Sequence, residues 1–267
     1  MELKGIDVSK WNGKIDWTAV RNAGVQFVMI RAGVGSSRGT YSTDIKFDYN
    51  IRGAAVMGLK CGVYLYSYAR SVSGAVGEAQ YMIKILQPYR NFISFPVVYD
   101  IEDDTQKDLG RDTITAMCKG FCDTIRAAGY KPMVYANKEW LTNRIDIAQV
   151  GADVWLAQWT SKPTWSGKYT MWQYTDNGTV SGISGVVDMN IGYVDYSTSA
   201  SETPVTEPEP VDETPQEPAV VTGTPSAWAK ASWEKAIAAG VTDGTNPQNP
   251  ATREQVITML DRLGLIK

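Results

Sequence analysis

Residues 97–102 read Val97-Val98-Tyr99-Asp100-Ile101-Glu102, an apolar, β-prone run that ends in two acids. Side chains alternate along a strand, so Asp100 and Glu102 at i and i+2 point to one face with their carboxyls close together. Two acids so placed cannot both ionise freely; one pKa rises, which sets a proton donor beside an anion. Outward from this run, similar strands are expected at Lys4–Ser9, Gln26–Ala32, Lys60–Tyr68, Pro132–Asn137, Asp153–Trp159, Tyr169–Thr175 and Val186–Tyr193, with the quoted run inside Phe95–Glu102. Amphipathic stretches at Asp16–Ala23, Asp44–Met57, Ser73–Leu86, Arg111–Ala128 and Lys138–Asn143 read as helices, several with Gly or Pro just beyond their ends. Helices follow only the first five of eight strands, which predicts an α/β fold, an irregular TIM-like β/α barrel whose last strands close without full helices. An open doubly wound sheet is the alternative, but its Gly-rich dinucleotide fingerprint is missing.

In a barrel of this kind the chemistry sits at the C-terminal ends of the strands. Asp7 ends the first strand, Asp100 and Glu102 end the fourth, and Asp188 lies in the last, all within apolar runs where solvated acids are not expected. A single such Asp is as readily a strand-end cap or a buried partner for Arg31. Four on three strands, in a chain with no His, read instead as the acid and base groups of a hydrolase. The lack of His also removes His-based nucleophilic triads and the usual zinc sites, and no metal or other cofactor is expected. Asp103 and Asp104 read as ordinary loop charges.

Aromatic and amide side chains supply the expected substrate contacts. Tyr64 and Tyr66 share one strand face, Tyr135 ends the fifth strand, Trp159 ends the sixth, and Trp172 and Gln173 lie in the seventh. Such rings stack on the apolar C–H faces of sugars, while hydroxyls, amides and Arg31 bond sugar oxygens. Each is also a plausible core residue; together at the mouth of an acid-lined barrel they read as a groove for a glycan chain.

The chain has 267 residues, 43% of them hydrophobic, with 26 Lys+Arg against 29 Asp+Glu, so the broad cationic surface that a nucleic acid requires is absent. Composition breaks after Tyr196. Residues 197–226 hold six Pro, six Asp or Glu, no Lys or Arg and no aromatic, which predicts an extended acidic linker between a catalytic barrel at 1–196 and a small helical module at 227–267. That module carries helical patterns at Trp228–Ala239 and Thr252–Leu263, the second opened by a Thr252/Gln255 capping box. Cys61, Cys118 and Cys122 are too few for a disulfide framework and are expected as buried thiols. No run reaches the ~18 apolar residues of a membrane span, and the first residues lack the character of a signal peptide.

The stretches Gly5-Ile6-Asp7-Val8-Ser9-Lys10-Trp11-Asn12-Gly13, Ile15-Asp16-Trp17, Phe27-Val28-Met29-Ile30-Arg31-Ala32, Gly62-Val63-Tyr64, Asp100-Ile101-Glu102, Val134-Tyr135-Ala136-Asn137, Leu156-Ala157-Gln158-Trp159, Met171-Trp172-Gln173-Tyr174 and Val187-Asp188-Met189-Asn190 together resemble glycoside hydrolase family 25, the muramidases of phage endolysins and bacterial autolysins. The resemblance spans residues 1 to 196. It implies a barrel of five helices and eight strands that cleaves the β-1,4 bond between N-acetylmuramic acid and N-acetylglucosamine in bacterial peptidoglycan. It carries over Glu102 as general acid, Asp100 as its close partner, and Asp7 and Asp188 as flanking acids. The missing signal-peptide character predicts synthesis in a bacterial cytoplasm, and the resemblance then implies action on the wall after release. One departure is Tyr64-Leu65-Tyr66 where many relatives have Tyr-His-Phe, a change expected beside the groove. In the tail, Trp233-Glu234-Lys235-Ala236-Ile237, Gly240-Val241-Thr242-Asp243-Gly244 and Thr252-Arg253-Glu254 resemble part of an S-layer homology module, implying wall targeting. A helical hairpin that docks on the barrel, or on another copy of itself to give a homodimer, is the alternative. At the level of function, the alternatives are a non-catalytic wall-binding protein and a hydrolase of chitin-like chains.

Overall fold

The computed structural model describes residues 2–197 and 230–238. The chain divides into two units, Met1–Pro204 and Val205–Lys267. In the first unit the strands are β1 (Leu3–Val8), β2 (Phe27–Val34), β3 (Ser42–Thr43), β4 (Lys60–Tyr66), β5 (Ile93–Asp100), β6 (Pro132–Asn137), β7 (Asp153–Ala157), β8 (Met171–Gly178) and β9 (Val187–Gly192). The helices are α1 (Trp17–Asn22), α2 (Phe47–Val56), α3 (Val72–Leu86), α4 (Arg111–Ala127), α5 (Lys138–Asn143) and α6 (Ile147–Val150). The second unit contributes α7 (Lys230–Ala238), inside the helix expected at Trp228–Ala239. The acidic linker beyond Ser197, the second tail helix and its capping box lie outside the described residues.

Strands β1, β2, β4, β5, β6, β7, β8 and β9 pair in that order, and β9 pairs back onto β1, closing an eight-stranded barrel; β3 is a two-residue ribbon on the edge of β2. All eight expected barrel strands are present. Six junctions, from β1–β2 round to β7–β8, are parallel, whereas β9 runs antiparallel to both neighbours. The connection from β8 to β9 is therefore a direct return that needs no crossover helix. The β7–β8 connection, residues 158–170, joins parallel strands and also carries no helix, so the reversal of β9 accounts for the last connection alone. That reversal also brings the first residues of β9 to the end of the barrel where the parallel strands finish.

Helix α6 and ribbon β3 were not expected, because each is shorter than a hydrophobic period can report. Local polar groups define α6: Asp146 caps its start, accepting from the Gln149 amide, and Gly151 ends it in the left-handed region at φ 62°. Longer helices use the same devices, with Ser71 capping α3 and Asn137 capping α5.

Alternation along the strands sorts the core into two layers. One side faces the helices, where Val63, Leu65, Val97, Tyr99, Val134 and Leu156 pack against residues such as Met82, Phe121 and Trp140. The other fills the barrel with Leu3, Phe27, Met29, Phe95, Val98, Met133, Trp155 and Met171. Cys61, Cys118 and Cys122 are free and buried, as expected. Among the described residues no helix is long and apolar enough to cross a membrane.

Phe27 stacks on Phe95 inside the barrel with ring centroids 5.2 Å apart, and the space for Phe27 comes from Gly5 on the neighbouring strand, where a Cβ would overlap the ring. Gly5→Ala is expected to destabilise the barrel by roughly 1–3 kcal/mol, the usual cost of overpacking a filled core. Urea unfolding measures this as a lower midpoint at unchanged slope. A loss below about 0.5 kcal/mol, the range of neutral surface changes, would contradict this packing.

Candidate active site

The inward side chains change character along each strand. From the closed end to the mouth, β1 presents Leu3, Gly5 and Asp7, β2 presents Phe27, Met29 and Arg31, β6 presents Met133 and Tyr135, and β8 presents Met171 and Gln173. The antiparallel β9 descends from the mouth with Asp188 and then Asn190. A cavity of about 220 Å³ results, lined by Asp7, Asp100, Glu102, Asp188, Arg31, Tyr64, Tyr66, Tyr135, Trp155, Trp159, Gln173 and Asp176. All four acids singled out in the sequence meet there.

Asp7 is the hub. Its Oδ2 accepts from Asn190 Nδ2 at 2.8 Å and from Gln173 Nε2 at 3.0 Å. Those amides are aimed in turn: Trp155 Nε1 donates to Asn190 Oδ1 at 2.8 Å, while Tyr135 Oη and Trp159 Nε1 donate to Gln173 Oε1 at 2.9 and 3.0 Å. Five side chains are thereby locked around one carboxylate. Asp188 is the direct cross-strand neighbour of Asp7 and is hydrogen-bonded to it. Burial first, then the Asp7 charge, pushes Asp188 up to about 8. Burial raises Asp7 to about 6 against the opposing pull of its hydrogen bonds. At neutral pH the pair shares one proton, with Asp188 as donor.

Asp100 ends β5 in a buried position where its Oδ1 has no protein hydrogen-bond partner. Burial holds its pKa well above the carboxylate range, Glu102 and Asp7 add to the shift, and Arg31 opposes it. Glu102 lies half-buried at the mouth and is raised to about 7, first by burial, then by Asp188 and Asp103. The sequence predicts that one member of this pair rises because the other is charged; in the folded protein both rise, and desolvation is the larger cause for each.

Arg31 does not serve the acids as a free counter-ion. Its guanidinium is held by Asp44 at 2.8 Å, and Asp44 also accepts from the Lys10 and Lys46 amides. Tyr66 donates to Asp103 at 3.0 Å, so Asp103 is part of the mouth rather than an ordinary loop charge. The expected contacts Tyr64, Tyr66, Tyr135, Trp159, Arg31 and Gln173 all line the cavity.

Trp172 does not line it. It packs in the layer between barrel and helices, donating to the Gln158 carbonyl, because its neighbour Gln173 takes the inward face and adjacent strand residues point opposite ways. Leu65 likewise faces the helices, so the departure at Tyr64-Leu65-Tyr66 lies behind the groove wall. Trp155, Asn190 and Asp176 belong to the site and were not singled out. Asn190 carried a usable signal, sitting two residues from Asp188 on the same strand face.

A second cavity of about 390 Å³ adjoins the first, lined by Asn137, Lys138, Glu139, Ala157 and Gln158, and it shares Glu102, Tyr135 and Trp159 with it. No group of three or more ligand-type side chains among the described residues is arranged to hold a metal ion.

Similarity to known proteins follows the same boundaries. The family model for glycosyl hydrolases family 25 matches residues 6–183, about two thirds of the chain, and takes in Asp7, Asp100 and Glu102. Lysozyme M1 of Streptomyces globisporus is 29% identical over 206 residues, covering 70% of this chain and 67% of the relative. The autolytic lysozyme of Clostridium acetobutylicum is 28% identical over 189 residues, covering 70% of this chain and 55% of the relative. The structure of the modular autolysin LytC from Streptococcus pneumoniae, with a synthetic peptidoglycan ligand, superposes with a TM-score of 0.64 at 29% identity, over 72% of this chain and 47% of that one. The chain thus spans about half to two thirds of the length of these relatives. With that family's model matched over more than half of its length, three of the four acids included, this chain belongs to glycosyl hydrolase family 25.

Proposed function

We propose that the protein is a peptidoglycan hydrolase, an N-acetylmuramidase that cleaves the β-1,4 bond between N-acetylmuramic acid and N-acetylglucosamine. The observation that carries this reading is the place of Glu102. It is the half-buried acid at the mouth, it borders both cavities, and it holds its proton up to about pH 7.

A glycan lying across both cavities brings a glycosidic oxygen to the Glu102 carboxyl. Proton donation to that oxygen lets the C–O bond break while positive charge develops on the muramic acid ring. The deep cavity faces that charge with the anionic Asp7–Asp188 pair, and Asp100, which keeps its proton, is set to hold the ring's N-acetyl group. Tyr66, Tyr135 and Trp159 provide ring faces and hydroxyls for the sugars. Asp188 and Asp7 carry their flanking role through the proton they share. Nothing in this sequence of steps draws on a cofactor.

The tail fits a wall-targeting module joined by an acidic tether of some 30 residues, which at ~3.1 Å per residue reaches on the order of 90 Å when extended. Tethering would raise the local concentration of the barrel at its substrate.

Three outcomes test the proposal. Glu102→Gln is expected to keep the fold and to lower the release of reducing ends from purified walls by ~10²–10⁴-fold, the usual contribution of a general acid. More than about a tenth of wild-type turnover would remove Glu102 from that role. The donor form exists below the Glu102 pKa, so kcat/KM should fall as pH rises through about 7. A limb at pH 4 to 5, the ordinary range for Glu, would contradict the desolvated site. Finally, a chain ending at Pro204 should cut soluble glycan fragments like the full protein and bind purified walls more weakly; equal wall binding by the two would contradict the targeting role.

A further inference from the structure

Glu78, on the inner face of α3, is a carboxylate with no exposed surface that the reaction itself does not use. Its partners are two hydroxyls, those of Ser67 and Tyr99, and two backbone amides. Ser67 Oγ donates to Oε2 at 2.7 Å, and the Tyr68 and Ala69 amides donate to Oε1 at 3.1 and 3.0 Å. Tyr99 Oη, stacked on Phe121, closes the cluster against Ser67 at 2.8 Å. Burial raises the Glu78 pKa to about 7, while these hydrogen bonds pull it down.

Two loops at the mouth meet this side chain, and a third is tied to the first of them. The loop after β4 reaches it through Ser67, Tyr68 and Ala69. The loop after β5 is tied to these residues by Gln106, fully buried, whose Nε2 donates to the Ala69 carbonyl at 2.7 Å and lies 3.3 Å from Ser67 Oγ. The loop after β2 contributes Gly35, where a Cβ would overlap Glu78 Oε1; the Gly35 amide donates to the Tyr66 carbonyl at 2.7 Å. Each loop leads directly to the reactive mouth. The Ser67 amide donates to the Asp100 carbonyl at 2.9 Å, and the Gln106 amide donates to the Asp103 carbonyl at 2.9 Å, one residue beyond Glu102. Tyr66 precedes Ser67 and bonds the Asp103 carboxylate.

We propose that Glu78 is a positioning residue for glycan cleavage: from behind the cavity wall it clamps the loops that carry Tyr66, Asp100 and Glu102, and so fixes the acid edge against the scissile bond. The assignment rests on the muramidase reading above for its effect on turnover, while the clamp itself is a property of the fold. Displacing a catalytic group by about 1 Å can cost on the order of 100-fold in rate, so a distant clamp can govern turnover without touching the sugar.

The test compares Glu78→Ala, Glu78→Gln and Gly35→Ala in the full-length protein, with kcat and KM on soluble peptidoglycan fragments and amide hydrogen exchange at residues 67–69 and 104–109. Glu78→Ala removes every acceptor; kcat should fall roughly 10- to 100-fold with KM within about threefold of wild type, and exchange in both loops should rise. Glu78→Gln keeps a carbonyl for the Tyr68 and Ala69 amides and offers an N–H to Ser67 Oγ, so it should restore kcat to within about threefold and restore protection. Gly35→Ala leaves the charge in place but pushes the carboxylate aside, and should lower kcat alone; it decides the question if Glu78→Ala fails to fold. Wild-type kcat and unchanged exchange in Glu78→Ala would overturn the proposal, as would wild-type kcat in Gly35→Ala or an equal loss in Glu78→Gln. If the wild-type protein cleaved no peptidoglycan, the muramidase reading would fall while the exchange arms still decided the clamp.

Discussion

Four carboxyl groups are drawn out of water at one end of a closed barrel, and Arg31, the one cation among the described residues lining their cavity, is already paired with Asp44. Everything at the site follows from that arrangement. A buried acid without a free counter-ion either takes up a proton or collects hydrogen bonds. Asp7 collects them, from Asn190 and Gln173; Asp188, Asp100 and Glu102 retain protons above the ordinary carboxylate range. A carboxylic acid that stays protonated near neutrality is what protonating a glycosidic oxygen requires. The same desolvation that makes the acids costly to bury makes them chemically useful.

Such a ring of acids needs a rigid frame. The barrel supplies it in two tiers: an apolar plug around stacked Phe27 and Phe95 below, and the amide and indole bonds converging on Asp7 above. The reversal of β9 joins the tiers, since it delivers Asp188 opposite Asp7 and Asn190 one step deeper. Behind the wall, Glu78 repeats the principle with a different outcome. It is another carboxylate without exposed surface, satisfied by loop amides and two hydroxyls, and it is proposed to hold the backbone that the acids stand on.

Much of this was legible in the chain. A strand that ends in acids two apart announces a shared face, and eight β-rich runs with helices after the first five announce a barrel whose last strands close without full helices. Alternation also explains the misplaced residue: Trp172 and Gln173 are adjacent in one strand, so only one of them faces the cavity, and the partner of Asp7 is the one that does. By the same rule Leu65, between Tyr64 and Tyr66, had to face the helices. The sequence did not reveal contacts between distant segments. Asp44 reads as a helix-start residue, Glu78 as one polar position in an amphipathic helix, and Trp155 as part of an apolar run; their roles arise only when β2, β4, β5 and β9 are brought to one mouth.

On the proposed reading this mouth cuts the glycan on the muramic acid side of the link. Purified walls digested with the wild-type protein, reduced with borohydride and hydrolysed for sugar analysis, test it most directly. The account predicts that the newly formed alditol is that of N-acetylmuramic acid; new termini consisting of the N-acetylglucosamine alditol would contradict it.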